Sequence, residues 1–426
     1  MFLQLSNSIT ACTIAATTAA LEVAELATGA ATQAVDVATQ AVDVATKAAE
    51  AVPVGYLGSS GNALTDLLVS LRPSAVPLWT LPLVAAGIAV GIAMAVISLN
   101  AMFGTWLERK VSAHIQCRYG PMRAGWHGFL QPLADGIKLM LKEDMIPKGA
   151  DRTLFVLAPA IVLGSLLAAF TAYPLAPNFF FADIDLGLFF ILACSSTTTI
   201  GVIMAGWSSN SKWSLYGAMR EAAQVVAYEI PLGVSLLVPL MVAGSFNLIN
   251  TSEMQQGLMG MNWFIFRNPI MLPAFVLFFI AILAETKRAP FDLPETESEL
   301  VSGFLTEYSG IRWSFFFMEE YAAMYLFSAV GSFYFFGGFE SPLTWAAIEA
   351  SGGERAGLLF GMAAAFTLCL KSMAGLLLMM WVRWTLPRVR IDQVMTMGYK
   401  YLTPLALACV LLSAVWEVLV APLWRG

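Results

Sequence analysis

Four charged side chains fall inside, or at the end of, segments that are otherwise apolar: Glu229, Glu285, Glu320 and Lys371. A charge at the centre of a membrane helix costs about 2.5–3.5 kcal/mol even on the lenient insertion scale, so each one needs a physical reason. Taken singly, each fits a structural hydrogen bond or a buried ion pair equally well. Together they favour a polar route through a membrane, because a carboxylic acid in low-dielectric surroundings exchanges its proton nearer to neutral pH.

The connection 286–312 is the densest acidic stretch of the chain. Two prolines restrict its first part to extended backbone, and glutamates then follow at alternate positions, Glu295, Glu297 and Glu299. A solvated acidic loop is the simpler interpretation. Against it, apolar residues are interleaved with the acids, which predicts that the loop folds back against the bundle. These residues are Phe291, Leu300, Val301 and Phe304.

A second charged connection, 108–152, contains an amphipathic pattern. Over residues 132–143, one helical face collects apolar side chains while Asp135, Lys138 and Lys142 lie elsewhere. The apolar face consists of Leu133, Ile137, Met140 and Leu141. The pattern predicts a helix that lies on the membrane surface, or one that walls a cavity between lipid and a cytoplasmic partner.

The elements that must position these residues are transmembrane helices. The chain is 58% hydrophobic and 12% charged, whereas soluble domains are roughly 45–50% apolar and about 25% charged. We therefore predict an all-α, polytopic membrane protein with about eight transmembrane helices, a cytoplasmic amphipathic helix and a long acidic loop. The predicted spans are 77–107, 153–175, 186–207, 222–246, 269–285, 311–336, 357–381 and 402–424.

The distribution of basic residues predicts the orientation of these spans. Of the 23 Lys and Arg residues, 17 fall in connections on one side, which the positive-inside rule assigns to the cytoplasm. Both termini are therefore expected on the periplasmic side of a bacterial cytoplasmic membrane. The membrane domain is predicted to cover 77–426, with cytoplasmic loops 108–152, 208–221, 286–312 and 382–401.

Residues 1–76 form an Ala-rich extension before the first span. They contain a direct repeat, in which residues 33–39 and 40–46 have the same sequence, with polar residues at helical spacing. We expect an amphipathic surface helix or a tail on the non-cytoplasmic side. An Ala-rich face buries little area, so a partner-binding role needs independent support.

Several classes of chemistry are disfavoured. The five cysteines, Cys12, Cys117, Cys194, Cys369 and Cys409, lie too far apart for the short spacing of iron–sulfur or zinc sites. Both histidines lie in the connection 108–152, and no dinucleotide or P-loop motif occurs. A net charge of −6 gives no basic surface for nucleic acid. We expect no metal, redox cofactor or nucleotide bound by this chain alone.

The charged connections also carry a resemblance. Over about 77–424 the chain closely resembles the family of H subunits of the proton-pumping NADH:quinone oxidoreductases (respiratory complex I). The family pattern lacks the N-terminal extension, and Met122 and Tyr399 stand where it usually has Asn and Trp. The resemblance rests on Glu108-Arg-Lys with Leu130-Gln-Pro-Leu-Ala-Asp-Gly-Ile-Lys138, on Ala284-Glu-Thr-Lys-Arg-Ala-Pro-Phe-Asp-Leu-Pro-Glu-Thr-Glu-Ser-Glu-Leu300, on Met318-Glu-Glu-Tyr321 and on Trp381-Val-Arg-Trp-Thr-Leu-Pro-Arg-Val-Arg-Ile-Asp-Gln393.

The resemblance implies a function as well as a fold. In that family the protein forms the membrane-side part of a quinone tunnel, from which a chain of acids leads into the membrane, while FMN and iron–sulfur clusters belong to partner subunits. No complete active site is expected on this chain alone. Positions matching the tunnel are Arg109, Arg118, Asp135, Arg288, Trp313 and Phe317. Positions matching the proton path are Glu229, Glu285, Glu295, Glu297, Glu299 and Glu320.

Three alternatives stay open at this point. The equivalent membrane subunit of an energy-converting hydrogenase-type complex would share the fold and differ in electron donor. A secondary ion transporter would use Glu229, Glu285 and Glu320 as its ion site, but no similarity between the two halves of the chain indicates the inverted repeats typical of that class. A passive membrane anchor is disfavoured by the acids within the spans.

Overall fold

The computed structural model describes residues 80–177, 179–257, 262–294, 297–350 and 358–420. The predicted extension 1–76 lies outside these residues. Within them the chain is helical and contains no β-strand, which confirms the all-α class. The main helices in chain order are α1 (Thr80–Ile115), α2 (Gln131–Leu141), α3 (Arg152–Thr171), α4 (Gly187–Ser208), α5 (Lys212–Ala243), α6 (Leu248–Glu253), α7 (Phe264–Arg267), α8 (Met271–Glu285), α9 (Glu297–Leu300), α10 (Gly310–Phe335), α11 (Pro342–Ala350), α12 (Leu358–Thr385), α13 (Ile391–Thr396) and α14 (Thr403–Val415).

Six helical segments of the described chain are long and apolar enough to cross a membrane, which confirms a polytopic membrane protein. They are Gly87–Ile115, Arg152–Thr171, Gly187–Ser208, Lys212–Ala243, Leu359–Thr385 and Ile391–Leu419. The other two predicted spans are helices as well, but α8 has only 15 residues and α10 carries two adjacent glutamates and an arginine. These two less typical helices hold two of the six predicted acids, Glu285 and Glu320.

Hydrogen bonds between connections divide the loops into two sets. Asp151 N donates to Ser208 O, Ser309 Oγ to Glu143 O and Val389 N to Pro290 O, which joins all four predicted cytoplasmic loops at one end of the bundle. At the other end, Leu188 N donates to Phe246 O and Ser252 Oγ to Gly337 O. The grouping of the loops therefore follows the predicted alternation of the spans.

Helix ends follow local capping chemistry, and not only hydropathy. The side chain of Asp151 accepts hydrogen bonds from the backbone N–H groups of Thr153 and Leu154, which fixes the start of α3. Gly244, with φ of 64°, ends α5 in the left-handed conformation that suits glycine. The start of α5 differs from the prediction: the helix begins at Lys212, ten residues before the predicted 222, because its first turns pack against the acidic connection, with Gly217 close to the backbone of Gly303.

The acidic connection folds back against the bundle, as predicted. Phe291, Leu300 and Phe304 are buried, whereas Val301 is 58% exposed and does not join the core. At Gly303, φ is 54° and a Cβ would collide with the backbone of Pro294, so this turn requires glycine. The loop is held in place by its apolar residues and by close backbone contact.

The predicted amphipathic helix is present as α2. The four residues of its apolar face, Leu133, Ile137, Met140 and Leu141, are all exposed in the chain. An apolar face without a partner in its own chain suits either of the two predicted positions, against lipid or against a second subunit.

Candidate functional site: a buried carboxylate cluster

Two consecutive basic residues, Lys287 and Arg288, follow the end of α8 and lie inside the protein. Their exposed fractions are 8% and 3%, so both cations are shielded from water. Lys287 has φ of 56°, a conformation that directs the chain sharply after the helix. The two side chains bind different carboxylates, and this divides the surrounding acids into two groups.

Arg288, just after the end of α8, binds carboxylates of two other helices, α1 and α10. Its Nη1 lies 3.0 Å from Glu108 Oε2 on α1, and its Nε lies 2.7 Å from Glu320 Oε1 on α10. Glu108 is also an ion-pair partner of Arg383, near the end of α12. Each buried charge of this group meets an opposite charge, so removal of one partner would leave another charge uncompensated.

Lys287 binds the second group of acids. Its Nζ lies 2.6 Å from Glu221 Oε1 on α5 and 3.4 Å from Glu319 Oε2 on α10. Glu221 is fully buried, and Glu319 is 4% exposed. Adjacent residues on a helix point about 100° apart, so Glu319 and Glu320 can reach the two neighbouring cations separately.

Glu285 and Glu229 extend this second group along the bundle. Glu285 is 7% exposed, and its carboxyl interacts electrostatically with Glu229, Lys287, Glu319 and Glu221. Its Oε2 has no hydrogen-bond partner among the described residues. Glu285 therefore continues the group of interacting acids from α5 and α10 onto the end of α8.

The carboxylate cluster, as we call it below, contains more acids than bases. It has six carboxyl groups and three cations, so it cannot reach neutrality with every acid ionised. Since uncompensated charge inside a membrane protein is costly, the excess favours protons shared among the acids. Its members are Glu108, Glu221, Glu229, Glu285, Glu319, Glu320, Lys287, Arg288 and Arg383.

An aromatic ladder on α10 leads to the carboxylate cluster. Trp313 stacks on Phe317 with ring centroids 5.2 Å apart, and Phe317 lies 4.9 Å from the ring of Tyr321. Tyr321 donates a 2.5 Å hydrogen bond to Glu108 Oε2, and the guanidinium of Arg288 lies 4.7 Å from its ring. Spacing of four residues places the three rings on one helical face, and Gly104 of α1 leaves room for Tyr321 to reach Glu108.

The remaining predicted tunnel residues lie near the same end of the bundle. Arg109 on α1 and Asp135 on α2 form a 2.6 Å ion pair, and both are partly exposed. Arg118 is exposed, and its Nε donates to Gln116 at 2.6 Å. The structure therefore brings Arg288, Trp313 and Phe317 to the carboxylate cluster, but leaves Arg118 in a surface connection.

One of the three predicted glutamates of the acidic loop, Glu299, has a described environment. Glu299 forms a 2.6 Å ion pair with Arg220, and its side chain is 58% exposed. Glu297 begins the short helix α9, but its side chain is outside the described part, and Glu295 lies outside the described residues altogether. Of the three, only Glu299 has a described side chain, and it belongs to the surface.

Two loop groups outside the spans have displaced pKa values. Burial lowers the pKa of Arg288, but the carboxylates of Glu320 and Glu108 outweigh this and raise it well above its ordinary value. Arg288 is therefore a permanent cation. Burial raises the pKa of Asp292, and Arg388, 3.0 Å away, offsets this only in part.

The sequence predictions did not place Glu108, Glu221, Glu319 or Arg383 among the site residues. Glu221 falls in a predicted connection, because the predicted span 222–246 begins one residue later. Its helical periodicity with Gln224, whose Nε2 donates to Ala284 O at 2.7 Å, could have identified a buried polar face on α5.

Lys371 lies apart from the carboxylate cluster. Its Nζ donates to three backbone carbonyls just after α10, those of Phe336 at 2.6 Å, Gly338 at 2.9 Å and Glu340 at 2.7 Å. The ammonium is also 4.7 Å from the ring of Trp263. It therefore supplies donors to three carbonyl groups of the connection that follows α10, and the carboxyl of Glu340 adds an electrostatic attraction.

Among the described residues, no group of three or more His, Cys, Asp or Glu side chains is arranged to hold a metal ion. The four cysteines within this part are free thiols. The described residues therefore show no arrangement of side chains that would bind a metal ion.

The fold and the site define a class of protein: a polytopic, all-α membrane protein with an acid-rich cluster at one end of its helical bundle. Comparison of the sequence identifies the family: residues 88–414 match the NADH dehydrogenase family. The chain belongs to this family, whose members include the membrane-embedded H subunits of the multi-subunit NADH-quinone oxidoreductases.

Individual relatives agree with this assignment. The H subunit of the NADH-quinone oxidoreductase of Chlorobium luteolum is 41% identical over 366 residues, which cover 85% of this chain and 96% of the relative. The H subunit of Chlorobaculum parvum is 43% identical, with 84% and 98% covered. That of Anaeromyxobacter dehalogenans is 42% identical, with 78% and 83% covered. The family resemblance found in the sequence is confirmed, and the chain is a bacterial membrane protein.

Proposed function

We propose that this chain forms part of the quinone-binding tunnel of an NADH:quinone oxidoreductase and couples quinone reduction to proton translocation. The observation that carries the proposal is the aromatic ladder of Trp313, Phe317 and Tyr321, which ends in a hydrogen bond to Glu108 in the carboxylate cluster. This hydrogen bond connects the apolar, aromatic ladder to the carboxylate cluster.

The ladder provides what a quinone needs. Flat aromatic rings and apolar walls hold an isoprenoid quinone, and basic groups stabilise negative charge that develops on its headgroup. We assign the walls to Trp313 and Phe317, and the nearby charges to Arg288, Arg109 and Asp135. Arg118, in the surface connection, would contact the headgroup only at the interface with a partner subunit.

The carboxylate cluster provides what proton coupling needs. Negative charge formed on the quinone in a water-poor chamber changes the field at Glu108 through Tyr321 and Arg288. Because the acids outnumber the cations, a change at one carboxyl is met by a shift of protons among the others. Glu285 and Glu229 then carry the proton away from the quinone side, while Glu320 links the two groups of acids.

The electrons come from partner subunits in this proposal. FMN and iron–sulfur clusters would reside on hydrophilic-arm subunits that contact the loops 108–152 and 286–312, and other membrane-arm subunits would flank the bundle. Both termini would lie on the periplasmic side, because the loops joined at one end of the bundle carry most of the basic residues.

Co-purification tests the assignment to this complex. After extraction in a mild detergent, we expect the chain to migrate with flavin- and iron–sulfur-containing subunits. A chain that is released alone, with no such partners, would contradict the proposal and return the free-standing transporter to consideration.

Substitution tests the proton path. Glu285→Gln and Glu320→Gln should lower quinone-linked proton translocation while NADH oxidation by an artificial acceptor stays intact, because that reaction bypasses the membrane chamber. Glu253→Gln, at an exposed position near the other end of the bundle, is the matched control. Quinone-linked rates equal to wild type in both variants would remove these acids from the path.

A further inference from the structure

A groove between α1 and α12 lies on the outer surface of the bundle, away from the aromatic ladder. It has a volume of about 620 Å³ and is lined by four residues from each helix. Both helices run in the same direction, and the groove lies near the ends that precede the basic connections. Its principal lining residues are Lys110, His114, Ile115, Leu377, Leu378 and Trp381.

The polar side chains of this groove lie only at its end near the basic connections, while apolar side chains line its whole length. Lys110, His114 and Trp381 lie within about two turns of the helix ends, whereas Ala374 and Leu377 lie deeper along α12. The lining contains no acidic residue. A cationic rim above an apolar channel matches a lipid, with its headgroup at the rim and an acyl chain in the channel.

The cation at the rim lacks an anionic partner. Within the described part of the chain, the only hydrogen bond of the Lys110 ammonium goes to Met122 Sδ, 3.1 Å away. A thioether is a weak acceptor, so most of the binding capacity of the ammonium is left over. His114 donates from Nδ1 to Lys110 O at 2.8 Å, which leaves its other ring nitrogen available to a ligand.

We propose that this groove binds an anionic phospholipid, whose phosphate contacts Lys110 and His114 while Trp381 lies at the level of the headgroup. Basic pockets between membrane helices on the cytoplasmic side recognise anionic headgroups, and tryptophan favours the interface. A zwitterionic lipid would gain the same apolar contact but less attraction at Lys110. The site does not depend on the proposed quinone path.

Photo-crosslinking in the intact, detergent-solubilised complex tests the site. The probes are phosphatidylglycerol and phosphatidylcholine that carry the same diazirine on the same acyl chain. We expect phosphatidylglycerol to label peptides containing Leu377 or Ile115 about fivefold more than phosphatidylcholine, as one interfacial lysine contributes. Lys110→Gln should reduce the phosphatidylglycerol label to the phosphatidylcholine level.

Lys138→Gln is the matched control, because Lys138 is exposed on α2 and does not line the groove. It should leave the labelling of the groove unchanged, and native gels verify that each variant assembles. Equal labelling by the two lipids, or an unchanged label in Lys110→Gln, overturns the proposal. So does the absence of label from both lipids in the groove peptides, since no lipid then occupies the groove in the complex.

Discussion

Cations lie at both ends of the helical bundle, partly buried at one end and buried at the other, and the two sites compensate their charge differently. Lys371 binds three backbone carbonyls, which cannot take up protons under physiological conditions. Lys287 and Arg288 bind carboxylates, which can. The carboxyl of Glu340 also acts electrostatically on Lys371, so the two sites differ in how many acids surround the cation. A cation among several acids is the better indicator of proton chemistry.

The same comparison separates stability from coupling. At Lys371 the hydrogen-bond acceptors are backbone carbonyls, whose protonation does not change, and the carboxyl of Glu340 adds an electrostatic attraction, so the site holds the segment after α10 in place. In the carboxylate cluster the acids exceed the cations, so several distributions of protons are compatible with one arrangement of side chains. Substitutions at either site should therefore lower the stability of the protein. Only substitutions in the carboxylate cluster should also change the coupling of quinone reduction to proton translocation.

Arg288→Met should have the largest effect. It leaves both Glu108 and Glu320 without their shared cation, and removal of one partner from a buried ion pair costs about 3–5 kcal/mol. We expect a lower thermal stability of the assembled complex and a smaller amount of it, as measured by native gels and thermal melting. Arg123→Met, at an exposed position, is the control. Normal assembly and melting of the Arg288 variant would show that the cluster is not held by this cation.

Lys371→Met should have the next largest effect, but on stability alone. Three carbonyls lose a charged donor, and we expect a loss of about 2–3 kcal/mol. Quinone reduction per assembled complex should match wild type, which is checked by normalising the rate to flavin content. A clear fall in that normalised rate would place Lys371 in the coupling path and remove the contrast between the two sites.

Tyr321→Phe removes one hydroxyl while the aromatic ladder stays. The lost hydrogen bond to Glu108 should cost about 1–2 kcal/mol. Since the ring remains against Phe317 and Arg288, KM for quinone should change little, while kcat falls severalfold. Steady-state kinetics with a short-chain quinone separate the two constants. A higher KM with unchanged kcat would make Tyr321 a binding residue without influence on the acids.

Glu299→Gln should have the smallest effect. Its ion pair with Arg220 is largely exposed, and such pairs contribute about 0–1 kcal/mol. Proton translocation per NADH should stay at the wild-type value in reconstituted vesicles. A loss as large as that expected for Glu285→Gln would mean that exposed and buried acids act in one path.

The sequence predicted the helical class, the approximate spans and the grouping of loops, because apolar length and charge are properties that hydropathy reads directly. It also identified Glu285, Glu320 and Lys371 as unusual. It could not assign their partners, since these depend on how separate helices pack. The adjacent pairs Lys287–Arg288 and Glu319–Glu320 show this well, because only the fold determines which cation meets which acid.

The missed residues have a related cause. Glu108 and Glu221 lie near the ends of long apolar segments, where hydropathy cannot distinguish a buried carboxyl from a solvated one. Conversely, Glu299 matched the family pattern for the proton path, but the local fold leaves it exposed. The sequence shows where the acids lie along the chain. Which of them are buried can be seen only in the three-dimensional structure.

The ratio of protons translocated to NADH oxidised tests the central claim most directly. It should be measured in vesicles containing wild-type complex, Glu285→Gln or Lys371→Met, each normalised to assembled enzyme. We predict a lower ratio in Glu285→Gln and the wild-type ratio in Lys371→Met. A wild-type ratio in Glu285→Gln, or an equal fall in both variants, would contradict the assignment of proton coupling to the carboxylate cluster.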